Sequence, residues 1–248
     1  MKSIIHSHKS VRQYSVRTVD DATIVKIVNA AVRGSNTGNM QLYSIVLTTQ
    51  PKIKQQLMPL HFNQPMVEHA PLVMTFCADI NRFSHWCKLR GTEPCYDNFL
   101  WFSTALTDTV IAAENAAVEA EFAGLGICFL GTTMYNAEEI ANVLNLPKGV
   151  VPVITMTAGY PEDPELPLTE RLPYQAVLHF ETYKDYTDSD INKYYNGFEN
   201  LDKIKDIVKQ NKLNNLAEVF TQKRYTKTDG DLFSKKYLDF VKKSFTMD

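Results

Sequence analysis

The sequence predicts an α+β fold, with helices packed on a central sheet. Three observations carry that prediction. Short, nearly continuous apolar runs bounded by turn residues read as buried strands. Segments of helical periodicity separate them. One long alanine-rich stretch, Asn98 to Ala123, is apolar around most of its circumference and so belongs at the centre of the molecule or between subunits. A chain of 248 residues can bury a sizeable core unaided. A formal charge of −2 speaks against binding nucleic acid through bulk charge. No run of 18 apolar residues suggests a membrane span, and MKSIIHSHKSVRQYS lacks the apolar centre of a secretion signal. The expected compartment is the cytoplasm, with Cys77, Cys87, Cys95 and Cys128 as reduced thiols.

The elements follow in order. Asp20 is an N-cap for a helix carrying Ile24, Ile27, Val28, Ala31 and Val32 inward, which Gly34 closes. SNTGNMQ, residues 35–41, is a polar loop. Leu42 to Thr49 reads as a strand, and a short helix after Pro51 turns Ile53 and Leu57 inward. Pro71 to Ala78 and Val150 to Ala158 are buried strands, Ala176 to Phe180 a shorter one. Gly124 ends the long helix, and residues 136–146 form an amphipathic helix capped by Asn136. Glu114, Glu119 and Glu121 supply the long helix with a solvated face. Residues 1–183 are expected to form a core and residues 184–248 a helical extension. Within that extension residues 201–248 hold eleven basic against seven acidic side chains.

Four segments could carry chemistry together. His8, Lys9, Ser10 and Arg12 offer cations and a hydroxyl suited to a phosphate. The loop at residues 35–41 offers amides and hydroxyls. Gly124 to Gly131, GLGICFLG, sets small residues where a planar ring can approach backbone. Glu170-Arg171-Leu172-Pro173 follows a proline-rich turn and fixes one guanidinium. Each segment alone reads as an ordinary loop, cap or surface charge cluster.

SHKSVRQY, SNTGNMQ, PLVMTFCADINR, a long helix ending GLGICFLG, and GYPEDPELPLTERLP, in that order, resemble the FMN-dependent nitroreductase family over roughly residues 3–183. Within that family the pattern is similar to the NADPH-preferring, oxygen-insensitive nitroreductase and flavin reductase branch. The resemblance implies an α/β sandwich with a central, mostly antiparallel sheet and the long helix at a homodimer interface. It implies tightly bound, non-covalent FMN and two-electron, ping-pong transfer from NADPH or NADH to nitroaromatics, quinones or flavins. His8, Lys9, Ser10 and Arg171 then hold the FMN phosphate, and Arg12 faces flavin N1 and O2 and stabilises the reduced ring. Asn36, Thr37 and Gly38 contact the dimethylbenzene–ribityl side or the phosphate. Gln64 reads the N3/O4 edge, and the Leu130 and Gly131 amides donate to N5 and O4. No side chain acts as a catalytic acid or base.

Two positions depart from the family pattern. Thr169 stands where a phosphate-binding lysine is usual, and Met66 where a polar or basic residue often lies near the flavin, which points to altered substrate selection. Thr169 keeps a second reading open, a flavin-binding protein with little turnover. Lys203, Lys205, Lys223 and Arg224 are candidates for an NADPH 2′-phosphate, against the alternative of a solvated helix face. Gly124-x-Gly126 follows a helix, so it is not a Rossmann loop. Cys77, His85, Cys87 and Cys95 lack the paired spacing that zinc prefers, and no metal is expected.

Overall fold

The computed structural model describes residues 4–247. The chain forms two compact units, residues 1–167 with 233–248, and residues 168–232. The expected boundary at 183/184 thus falls inside the second unit, and the final helical segment belongs to the first.

In chain order the elements are α1 (Asp21–Val32), β1 (Tyr43–Thr48), α2 (Pro51–Leu57), α3 (Met66–His69), β2 (Leu72–Asp79), α4 (Asn81–Leu89) and α5 (Phe99–Phe122). Then come β3 (Gly126–Leu130), α6 (Ala137–Val143), β4 (Val150–Gly159), α7 (Asp188–Glu199), α8 (Asp202–Gln210), α9 (Leu216–Val219) and α10 (Lys227–Phe245). The four strands make one antiparallel sheet in the order β1-β2-β4-β3. The two central strands, β2 and β4, are almost wholly buried, which explains their unbroken apolar runs.

Against one face lies α5, and its composition explains how. Ala112, Ala113, Ala116, Ala117 and Ala120 form a stripe of short side chains that packs on Met74, Phe76, Ile127 and Met156. Asn98 caps this helix by accepting from the Trp101 N–H, as Asp20 caps α1 through Thr23 N–H. On the other flank the tail of α10 returns to the core, where Val241 and Phe245 pack with Leu42, Phe102 and Val153. Lys236 and Lys243 tie it to Glu139 and Glu138 of α6, at 2.6 and 2.7 Å.

Three sequence expectations are corrected. Residues 126–130 of GLGICFLG form edge strand β3, not an open glycine loop. The glycines that hid it serve packing: a Cβ on Gly126 would meet Val11 Cγ2 at 2.4 Å. Residues 176–180 form no strand, and a 3-10 turn spans Tyr174–Ala176. Among the described residues every strand lies in the first unit, so that apolar stretch has no strand partner within its own unit. Asn136 precedes α6 without capping it, because its Oδ1 accepts from Lys236 Nζ at 2.9 Å while its amide donates to the Leu60 carbonyl at 2.7 Å.

Gly126→Ala places a methyl group in Val11, and overpacking of this kind costs about 1–3 kcal/mol. Chemical denaturation should show that loss. Gly131→Ala, whose added Cβ meets nothing within 4 Å, should unfold at nearly the wild-type midpoint.

Candidate functional site

The site is assembled along the free edge of β3. Ser10 pairs with Ile127 in a parallel bridge, and the Val11 N–H donates to the Ile127 carbonyl at 2.8 Å. Val11 itself is buried over Gly126. This stitches the His8–Arg12 segment to the strand. A second bridge, Tyr14 with Pro161, and the bond from Glu162 N–H to the Gln13 carbonyl join the proline-rich turn to the same segment. Two of the four pieces singled out in the sequence therefore meet here, residues 8–12 and 126–131, joined by the proline-rich turn at 160–166 that precedes the fourth.

The basic side chains in this segment are not equivalent. Lys9 Nζ donates to the Pro164 carbonyl at 2.6 Å and to the Leu166 carbonyl at 2.8 Å. It straps the turn down, with two of its three protons committed. His8 Nδ1 lies 2.8 Å from Glu121 Oε1. Burial pushes the Glu121 carboxyl above its ordinary range, and the His8 contact pulls it back. Glu121 is therefore not part of a solvated face, which corrects the sequence expectation. Arg12 is exposed, and its charge is felt at the buried Cys128 thiol, which desolvation raises and Arg12 lowers.

At the far end of β3 the chain turns at Gly131. A Cβ there would meet nothing within 4 Å. Neither protein packing nor a left-handed φ demands this glycine, so it leaves a small open space over the backbone. Successive backbone groups of a strand face alternate edges. The Ile127 carbonyl faces Val11, whereas the Cys128 and Leu130 carbonyls face the β4 side and take Thr157 and Thr133 hydroxyls at 3.3 and 2.8 Å. By the same alternation the Leu130 N–H faces β4 and the Gly131 N–H faces the edge where Arg12 and Ser10 lie. Of the two amides named from the sequence, Gly131's is the one directed to that edge.

Gln64 reaches the same corner, its Nε2 donating to Thr132 Oγ1 at 3.4 Å. Phe62 and Asn63 just before it both hold left-handed φ, 55° and 54°, an uncommon pairing for residues with side chains. His61 completes the corner. It is fully buried, with Nδ1 2.9 Å from Thr132 Oγ1 and Nε2 without a partner. Desolvation lowers its pKa to about 4. Sequence reasoning missed His61, Thr132 and Glu121; the one available signal was a histidine three residues before Gln64. Met66 is buried among Leu57, Val67 and Val73, so it shapes the core and not an open slot.

Other predicted residues lie elsewhere. The Thr37 N–H donates to Asp108 Oδ1 at 3.0 Å, the Leu42 N–H to Asp108 Oδ2 at 3.4 Å, and the Gln41 N–H to Asn36 Oδ1 at 3.1 Å. Asn36, Thr37 and Gly38 are thereby anchored beside Asp108. His8 sits beside Glu121, thirteen residues further along α5, or roughly 20 Å at 1.5 Å per residue. Arg171 belongs to the second unit, donating to Thr169 Oγ1 at 2.5 Å and to the Glu170 carbonyl. Lys203 and Lys205 ride on α8, and the Arg224 guanidinium lies 5.9 Å from the Phe220 ring centre. Among the described residues no helix is long and apolar enough to cross a membrane.

Along its length the edge thus offers an exposed guanidinium, a hydroxyl and one outward backbone N–H, with a side-chain amide and an open glycine at its far end. That donor-rich lining suits a planar, anionic group with carbonyl-type acceptors, and Gly131 leaves space for such a ring against the backbone. Comparison with known proteins gives the same direction. Residues 5–160 match the family model described as the nitroreductase family. A Bacillus subtilis protein named FMN reductase (NADPH) is 32% identical over 186 residues, 74% of either chain. An oxygen-insensitive NADPH nitroreductase of Salmonella typhimurium is 31% identical, covering 77% of this chain and 78% of its own. The crystal structure of a Bacteroides fragilis protein superposes with a TM-score of 0.97 at 40% identity over 99% of both chains.

The pKa of His61 makes stability depend on acidity in a definite direction. Its folded pKa is depressed to about 4, so the unfolded chain binds the extra proton first. Stability should be full above pH 6.5 and fall by a few kcal/mol as pH drops from about 6.5 to about 4. Urea unfolding across that range should show the loss, and His61→Gln should flatten this part of the profile.

Proposed function

Because the chain belongs to the nitroreductase family, we propose that it is an FMN-dependent NAD(P)H oxidoreductase of the nitroreductase and flavin reductase type. The observation that carries the reading is the convergence of His8–Arg12, Gly131 and Gln64 along one edge of β3. Nitroaromatics, quinones and free flavins are the acceptors it would serve, each taking the place vacated by the nicotinamide product. Bound FMN supplies the hydride-accepting ring and stores two electrons between half-reactions.

The protein's own residues bind, orient and compensate charge. Ser10 and the third Lys9 proton hold the phosphate, with His8 oriented by Glu121. Arg12 offsets the negative charge that reduction places on the pyrimidine side of the ring. The Gly131 N–H meets the acceptor atoms near the reacting edge, and Gln64 reads the rim beside them. None of these groups has to gain or lose a proton.

We further assign this function to a homodimer in the cytoplasm, built around α5. Asn36–Gly38 sits about 20 Å along α5 from His8 in one chain, too far for both to grip one phosphate. A two-fold axis crossing α5 midway between Asp108 and Glu121, near Glu114, would bring the 36–38 loop of one copy level with the 8–12 segment of the other. Exposed Val110 and Phe122 on α5 support that pairing. So does the second unit's apolar strip of Leu168, Tyr174, Val177, Phe180 and Tyr183, which is largely exposed in a single chain.

The purified protein should be yellow, bleach on anaerobic addition of NADPH or NADH, and recover its colour with a nitroaromatic. A persistent yellow colour under either reductant would overturn the enzyme reading. Ser10→Ala should weaken FMN retention roughly 10- to 100-fold, the worth of one hydrogen bond to a charged group. Arg12→Ala should keep the flavin yet lower its midpoint potential. Sedimentation velocity should give a species of twice the chain mass, and Val110→Lys should shift it toward the single chain.

A further inference from the structure

Inside the core behind the site stands a line of three fully buried threonine hydroxyls. Thr75 Oγ1 lies 3.3 Å from Thr155 Oγ1, and Thr133 Oγ1 lies 3.0 Å from Thr155 Oγ1. Thr133 also donates to the Leu130 carbonyl at 2.8 Å. All three residues are 0% exposed. The line connects central strand β2, through β4, to the last carbonyl of β3.

A hydroxyl carries one proton. The Leu130 carbonyl can only accept, so the shorter of the two Thr133 contacts claims that proton and holds the carbonyl toward β4. The Leu130–Gly131 peptide is planar and trans, so its N–H points opposite to its C=O. Holding the carbonyl on the β4 side therefore holds the Gly131 N–H toward the opposite edge, where Val11 N–H meets the Ile127 carbonyl. The ladder pairing of Leu130 with Thr155 also holds this carbonyl, and the Thr133 hydroxyl adds a second hold on the turn side, where Gly131 has no side chain packed to resist rotation.

We propose that Thr133 is a positioning residue for the flavin-dependent reaction. Supported by Thr155 and Thr75, it aims the Gly131 N–H at the acceptor atoms on the reacting edge of the ring. Thr133 touches neither cofactor nor substrate; it acts through one peptide plane. The inference rests on the FMN reading of this same edge. Donors aimed in advance matter because a donor off by about 1 Å can slow a reaction on the order of 100-fold.

The test compares wild type, Thr133→Val, Thr133→Ser and Thr155→Val, with Thr109→Val as a control. Thr109 is equally buried, but its hydroxyl bonds the Ala105 carbonyl within α5. The first readout is made on flavin-free protein: the amide resonance and hydrogen-exchange rate of Gly131. Thr133→Val should shift the resonance and speed exchange, Thr133→Ser should restore both, and Thr109→Val should leave both unchanged. The second is anaerobic reduction of the bound flavin by NADPH. Thr133→Val should slow it about 10- to 100-fold, Thr155→Val less so, with Thr133→Ser and Thr109→Val near wild type. If Thr133→Val fails to fold, Thr155→Val carries both readouts in its place. An unchanged Gly131 signal and an unchanged reduction rate in the Val variants would overturn the inference. If wild type itself takes up no FMN, the functional reading fails first, whatever the Gly131 signal does.

Discussion

The Val11 side chain seated over Gly126, with the Val11 N–H on the Ile127 carbonyl, is the contact on which the rest of the site depends. β3 is an edge strand, and an edge presents unpaired backbone groups that must be covered. Here the chain's own N-terminal segment does the covering. It packs so closely that any side chain at residue 126 would strike it. The consequence reaches well beyond local packing. Covering the edge delivers Ser10 and Arg12 to the backbone of β3, and the same run continues to Tyr14, whose hydroxyl donates to the Val11 carbonyl and also lies 2.8 Å from Thr157 Oγ1. Burial of that hydroxyl pushes the Tyr14 pKa far up, so it stays a donor over the whole working range of pH.

Charge at this edge is arranged by competition. His8 carries a carboxylate partner in Glu121, and Lys9 is surrounded by carbonyl dipoles at 2.6 and 2.8 Å. Both side chains are tied to the protein itself. Arg12, exposed and felt electrostatically at Cys128, is the cation whose charge is best placed to respond to a ligand. The division of labour follows from side-chain chemistry. An ammonium can spread its three protons over carbonyls of a turn, while a guanidinium keeps a planar fork with a fixed charge suited to a flat anionic ring. Glu121 sets a carboxyl beside His8 at the start of this segment, and its raised pKa reflects the desolvation it bears there.

Most of the scaffold was legible in the sequence because local rules sufficed. Asp20 and Asn98 are caps that nothing in the tertiary structure overrides, and the buried runs of β2 and β4 carry only apolar and hydroxyl-bearing side chains apart from Asp79 at the end of β2. β3 escaped because Gly126 and Gly131 made GLGICFLG read as a loop. The glycine that weakens strand propensity is there for a neighbour 115 positions away in the chain, which no local window contains. At the site, His8, Lys9, Ser10 and Arg12 stood out as a cluster, but their separate fates did not. Whether Lys9 meets carbonyls, or Glu121 meets His8 instead of water, depends on contacts made across 113 to 157 positions of sequence. The 176–180 stretch failed for a related reason. Its apolar pattern suits a strand, yet a strand needs a partner and its unit provides none.

The threonines of the core follow the same long-range logic. Valine has nearly the volume of threonine and buries more favourably, so a fully buried hydroxyl is retained at a disadvantage unless it is bonded. Among the β3 carbonyls that point into the sheet, those of Cys128 and Leu130 each receive a threonine hydroxyl, from Thr157 and Thr133. The intervening groups of Ile127 and Phe129, and the amide of Gly131, face the other edge. The ladder with β4 fixes which backbone groups of β3 face the sheet, and the two hydroxyls reinforce that choice at Cys128 and Leu130. The outer edge, where the chemistry is proposed to occur, is thus backed by bonds made inside the core.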